Sequence, residues 1–305
     1  MPLWSMRENI EVQYLDLLRR ILNEGELKHN RTGVDTLAIA GAMLEHDMSE
    51  GFPLLTSRKL PYKSTKVELE FFIKGLTSKG WLQERGCSYW NAWANPQKVP
   101  YGQTDEARAK MVAEDDLGFI YGSQWRDFKD PRVTIPVAPD SEQEICISEG
   151  VDQLKSIVET LKKNPDDRRM ICSAWNPMAL KYAALPSCHF AWQVTVINGK
   201  LNLAWSQRSV DTFLGLPANI SSYATLLHLL AKEAGLKEGK LIGFLMDTHL
   251  YVNHVDQCRE QLTRKPFQLP QIQTKNFTSI FDWQYGDTEL LNYTAHPALR
   301  GEVAV

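Results

Sequence analysis

The 305-residue chain reads as an α+β protein. Apolar residues recur at helical spacing in some segments and at strand spacing in others. The two kinds are mixed without the regular βαβ rhythm of a doubly wound sheet. Length and composition suit one domain over residues 1–305, with 43% hydrophobic and 23% charged residues. A chain of this size can bury a core without disulfide or metal staples.

In chain order, Ile10, Tyr14, Leu17, Leu18 and Ile21 predict a first helix to Leu22, with Gly25 as its stop. Leu37, Ile39, Gly41 and Met43 alternate as one strand. Further helices fit Ser64 to Lys74 and Val151 to Leu161, the latter with Val151, Leu154, Ile157, Val158 and Leu161 on one face. The sharpest hairpin signal is Asn198-Gly199, which suits a type I′ turn. Trp192, Val194 and Val196 alternate before it and Leu201, Leu203 and Trp205 after it. Ile220 to Leu230 marks a buried helix, and Leu250 to Leu262 another. Polar segments near 95–116 and 136–149 read as surface insertions rather than linkers, because motif-bearing segments flank both.

A net charge of -3 favours neither a general nucleic-acid binder nor a membrane-surface protein, so an anionic substrate needs a local arginine cluster. The five cysteines are scattered, without CxxC or Cys/His ligand spacing, which argues against a disulfide framework and against a metal site. The N-terminus has no signal-peptide pattern, and no stretch approaches about eighteen apolar residues. The expectation is a reduced, cytoplasmic protein.

Cys188, in Leu-Pro-Ser-Cys-His, precedes the hairpin. Most free cysteines are small buried hydrophobes, and the window alone favours that reading. His189 is not its partner base, since neighbours on a strand face opposite ways. Arg208, on the return strand, is a candidate to hold phosphate and to favour the thiolate. Arg31 sits in an Arg-Thr-Gly turn, and Arg168-Arg169 follow a charged turn. Asn219 suits a helix N-cap before Ile220 as well as it suits a binding role. His249 and Tyr251 share one face if the backbone there is extended. Glu68 lies among Leu69, Phe71, Phe72 and Ile73, so it is either on the polar face or held for proton and water chemistry.

NRTGVDT, GFPLLTSRKL, ELEFFIKG, IYGSQWRDF, NPDDRRMICSAWNP, LPSCH, QRSVDTFLGLP, NISSYATLLHLLA, DTHLYVNHVDQ and HPALRGEVAV occur in this order from the first helix to the last residue. Together they resemble the thymidylate synthase family. The resemblance implies a large twisted mixed β-sheet flanked by helices and packed at a homodimer interface. It implies one-carbon transfer from 5,10-methylenetetrahydrofolate to C5 of dUMP, with no metal. Cys188 would attack C6, a covalent step that makes C5 a carbon nucleophile. Arg31, Arg208 and Ser209 would hold the phosphate, with Arg168 and Arg169 reaching in from the second subunit. His249 and Tyr251 would bind the ribose, and Asn219 would read the base, donating to O4 and accepting from N3–H. Glu68 would order water, Tyr121 would help strip the C5 proton, and Asp211 would hold the pterin. Trp90, Trp93, Leu185, Leu214, Gly215 and Ala218 would line the folate pocket, and Val305 would close it.

The chain departs from the family pattern at several positions. Ala218 stands where the family has phenylalanine, Ser206 where it has tyrosine, and Asn91 where it has aspartate. Leu245-Met246 replace a glycine pair. Loss of an aromatic wall beside the folate favours a deoxyuridylate hydroxymethylase, in which water rather than hydride reaches the C5 methylene. The alternative is a thymidylate synthase. A catalytically dead nucleotide-binding or mRNA-binding homologue is disfavoured by the intact Cys188, Glu68, Tyr121 and Asn219.

Overall fold

The computed structural model describes residues 9–30, 32–93, 104–132, 134–136, 144–146 and 149–304. Helix α1 (Ile10–Glu24) starts where the Asn9 side chain accepts the Glu11 and Val12 amides, and it ends at Gly25. The single strand expected from Leu37 to Met43 is two, β2 (Thr36–Ile39) and β3 (Ala42–Asp47), preceded by β1 (Glu26–Lys28). The break comes at Gly41, where a Cβ would lie 2.7 Å from the Leu245 carbonyl oxygen.

Helices α2 (Tyr62–Ile73), α3 (Lys79–Glu84), α4 (Asp105–Ala113) and α5 (Tyr121–Arg126) follow, then a small hairpin of β4 (Thr134–Pro136) and β5 (Glu144–Cys146). The expected insertions thus contain α4 and this hairpin; residues 94–103 and 137–143 lie outside the described set. Helix α6 is Gln153–Lys163. Val151 precedes it, is 55% exposed, and bridges Phe128 instead of joining the apolar face.

The large sheet is completed by β6 (Ile171–Ser173), β7 (His189–Ile197), β8 (Lys200–Asp211) and β9 (Lys237–Tyr251). Asn198 and Gly199 take φ of 51° and 71°, both positive as a type I′ turn requires. Helix α7 (Gly215–Ala234) joins β8 to β9, which run parallel, while the other pairs in the sheet are antiparallel. The order is β1-β2-β9-β8-β7-β6, with β3 also on β9. Helix α8 is Val255–Leu262, so Leu250 belongs to β9 and not to the expected helix. A last hairpin pairs β10 (Gln271–Thr274) with β11 (Thr288–Leu291).

One sheet face carries the core. Trp192, Val194, Leu201, Leu203, Trp205, Leu241 and Leu245 are buried there. Helix α7 packs on β8 and β9 and is buried from Ile220 to Ala231 on every side, as a central helix is. The opposite face leaves Phe244 and Met246 of β9 47% and 60% exposed.

Candidate active site

Cys188 ends the loop leading into β7 and keeps accessible surface, whereas Cys87, Cys172 and Cys258 are buried. Burial pushes Cys87 and Cys258 up to about 12 and Cys172 well above its ordinary value. These three cysteines are therefore held as neutral thiols. The loop is pinned by Arg208 on β8: its Nε donates to the Ser187 carbonyl at 3.0 Å and its Nη2 to that of Pro186 at 2.7 Å. Nη2 also lies 4.0 Å from Cys188 Sγ. The Trp175 ring sits beneath the guanidinium, 5.3 Å from its carbon.

A cavity of about 770 Å³ opens in front of this pair. Of the residues singled out from sequence, Leu185, Cys188, Arg208, Ser209, His249 and Tyr251 line it. His249 and Tyr251 share the extended β9 with ring centroids 5.4 Å apart, meeting the condition set on their common face. The His249 Nδ1 is held by Asp247 at 3.1 Å, and Asp247 is ion-paired with Lys28. Lys28, Trp175 and Asp247 also line the cavity and were not singled out. The Asp-Thr-His motif already contained Asp247, but Lys28 reaches it only because β1 and β2 pair beside β9.

Behind Cys188 lies a buried aromatic and acidic group. The Cys188 amide donates to the Tyr121 hydroxyl at 2.8 Å, so the phenolic O–H keeps its proton to give. Burial raises the Tyr121 pKa well above its ordinary value. The Tyr121 ring stacks on His189 at 4.1 Å, and His189 in turn shares a 2.8 Å hydrogen bond with Tyr223. Burial lowers His189 to about 3, which keeps the imidazole neutral and confirms that it is no charged partner for the thiol. Glu68 accepts the Trp90 indole N–H at 2.7 Å. It retains a little accessible surface, yet the protein around it strips away water and raises its carboxyl to about 7, a shift the indole N–H partly offsets. The carboxylate is thus turned onto the buried Trp90 indole and not displayed on a polar face.

The β8–α7 corner brings together Asp211, Leu214, Gly215, Ala218 and Asn219. Helix α7 begins at Gly215, so Asn219 is inside its second turn and is not the N-cap. Asp211 Oδ1 accepts the Phe213 and Leu214 amides, each at 3.1 Å. The corner is buttressed by Arg58, which is 4% exposed, stacks 4.1 Å from the Phe213 ring and donates to its carbonyl. Trp90 and Trp93 are 5% and 8% exposed. Arg168 and Arg169 point outward from the chain, Arg169 beside Asp167 at 3.4 Å, and neither lines the cavity. Arg31 and Val305 lie outside the described residues.

The departures from the family pattern do not converge. Ser206 faces away from Gln207, pairing with Phe244 and Ala191 on the open side of the sheet, where Met246 also lies. Asn91 is exposed and accepts from Gln83, and Leu245 is in the core. Of these positions, Ala218 stands in the first turns of α7 next to Asn219. Among the described residues, no His/Cys/Asp/Glu group could hold a metal ion, and no helix is long and apolar enough to cross a membrane.

The family model for thymidylate synthase matches residues 12–305. A thymidylate synthase of Corynebacterium aurimucosum is 39% identical over 300 residues, covering 98% of this chain and the whole of that protein.

Proposed function

Since the chain belongs to the thymidylate synthase family of one-carbon transferases, we propose that it is a cytoplasmic homodimer that transfers a methylene group to C5 of dUMP and completes the reaction with water, giving 5-hydroxymethyl-dUMP.

The cavity is of the size that takes a small ligand. Cys188 is the nucleophile toward C6, and the Arg208 guanidinium supplies positive charge beside its sulfur. Arg208 and Ser209 hold the phosphate, joined by Arg31 and by Arg168 and Arg169 of the second subunit. His249 and Tyr251 hold the ribose. Asn219 reads uracil; an aspartate there should shift the kcat/KM preference toward dCMP by orders of magnitude, because a carboxylate cannot donate to O4. Tyr121 and Glu68 handle protons on the far side of the nucleophile.

The corner suits the cosubstrate: Asp211 spends Oδ1 on two backbone amides and leaves Oδ2 to accept a pterin N–H. 5,10-Methylenetetrahydrofolate, when bound, supplies the one-carbon unit. Trp90, Trp93, Leu185, Leu214 and Gly215 form its walls and Val305 its closure.

The observation that carries the water outcome is Ala218, a methyl group where the family places an aromatic wall, beside the base-reading residue. Excluding water protects a reactive intermediate, and a missing ring weakens that exclusion. Incubation with dUMP and 5,10-methylenetetrahydrofolate should consume dUMP with little dihydrofolate, followed by its ultraviolet absorbance. Mass spectrometry should show a nucleotide one oxygen heavier than dTMP. Stoichiometric dihydrofolate with dTMP would establish the second reading, a thymidylate synthase. That reading is favoured by the full-length likeness to a protein of that name.

A further inference from the structure

The orientation of the Asn219 amide decides what it offers a base, and one buried donor helps to fix it. Trp205 is fully buried on β8 and its Nε1–H donates to Gln207 Oε1 at 3.2 Å. An indole N–H can only donate, so the carbonyl end of Gln207 must face it. The Ser209 carbonyl, which can only accept, takes Gln207 Nε2 at 3.0 Å. The same Nε2 donates to Asn219 Oδ1 at 3.2 Å. Each amide in this chain is thereby oriented by a group whose role cannot reverse. Asn219 turns its oxygen toward Gln207 and its Nδ2 away from it, ready to donate.

The indole itself cannot turn. It stacks flat on Tyr223, with centroids 5.4 Å and planes 10° apart. Gly243 also abuts it: a Cβ there would lie 2.5 Å from the six-membered ring. Gln207 is 2% exposed, so without the indole its Oε1 loses a partner that water cannot readily replace.

We propose that Trp205 is a positioning residue for base choice: through Gln207 it holds the Asn219 amide in the orientation that accepts uracil and rejects cytosine. This rests on the reading of Asn219 as the base-reading residue of a dUMP enzyme.

The test compares tritium release from [5-³H]dUMP and [5-³H]dCMP, as kcat/KM, in wild type, in Trp205→Phe, and in protein carrying benzothienylalanine at position 205. The last keeps the shape of the indole and deletes only its N–H, so it decides the matter if Trp205→Phe does not fold. Deleting the indole N–H leaves the buried Gln207 carbonyl oxygen unpaired and the Ser209 carbonyl as the one fixed-role group still orienting the amide, and the dUMP/dCMP ratio should fall by about tenfold. A purely structural role would lower both substrates together and leave their ratio unchanged, and that result in the folded benzothienylalanine protein overturns the proposal. A wild type that does not itself prefer dUMP would instead overturn the reading of Asn219, and this inference with it.

Discussion

Cys188 is separated from Cys87, Cys172 and Cys258 by its surroundings, not by its chemistry. Those three are buried, whereas Cys188 keeps accessible surface and has a guanidinium at 4.0 Å. Cys188→Ala should abolish turnover while dUMP affinity, measured by calorimetry, stays within a few-fold, because in the proposed function the arginines and not the thiol hold the phosphate. Substantial residual turnover would remove the thiol from the mechanism. Glu68 gives a pH test. Its carboxyl titrates at about 7 in the folded chain and near 4.5 in an ordinary setting, so the folded chain keeps the extra proton between those values. Its contribution to stability is therefore full below pH 4.5 and is lost as pH rises through 7. Relative to Glu68→Gln, wild type should lose about 3 kcal/mol across that window. Urea midpoints of the two proteins over pH 4 to about 8 check this, and a constant difference would mean that Glu68 sits in ordinary solvent. His189, buried neutral, has the opposite pH trend, but it is common to both proteins and cancels.

At the scale of elements, the periodic helices were legible and their ends were less so. α1 and α2 begin and stop within two residues of the spacing that predicted them. α7 starts well before Ile220, because Gly215-Leu216-Pro217 carries no period until the β8 corner fixes it as a first turn. β9 was missed over most of its length: Gly239 and Gly243 interrupt its pattern, and Gly243 is there to admit the Trp205 ring. Lys79 is another feature set by tertiary packing. It is 3% exposed, and its ammonium donates to the carbonyls of Trp93, Met111 and Val112. It thereby fastens the C-terminal end of α4 to the tryptophan-bearing loop. Lys79→Met should cost about 2–4 kcal/mol by leaving three carbonyls short of a charged donor. Limited proteolysis should then cut first near α4, and an unchanged urea midpoint would show the clamp to be idle.

For the whole molecule, the described residues cover the sheet on one side only. Met43, Ile171, Phe244 and Met246 are 49%, 50%, 47% and 60% exposed on its strands, and an uncovered apolar face of this kind marks an interface. Arg168 and Arg169 stand beside the edge strand β6 and do not line the Cys188 cavity. Both observations support a homodimer with shared phosphate sites. Mixing Cys188→Ala and Arg169→Ala subunits should restore activity, since one hybrid site then has both its thiol and its partner's arginine. Heterodimers that form, as shown by native mass spectrometry, and yet stay inactive would count against sharing.

The sequence alone carried the family and the candidate residues that line its cavity, because those sit in short blocks of rigid spacing: Leu-Pro-Ser-Cys-His, Gln-Arg-Ser and Asp-Thr-His each keep their side chains together on one loop or strand. It also carried the hairpin, since only a turn with two positive φ angles suits Asn198-Gly199. Tertiary structure decided what depends on contacts between distant segments. Glu68 meets Trp90 across 22 positions, Cys188 meets Tyr121 across 67, and Lys28 meets Asp247 across 219. It also showed that Ser206 and Met246 lie on the open face, away from the β8–α7 corner. Alternation along a strand assigns a residue to one of two faces, and only packing determines which face is the core.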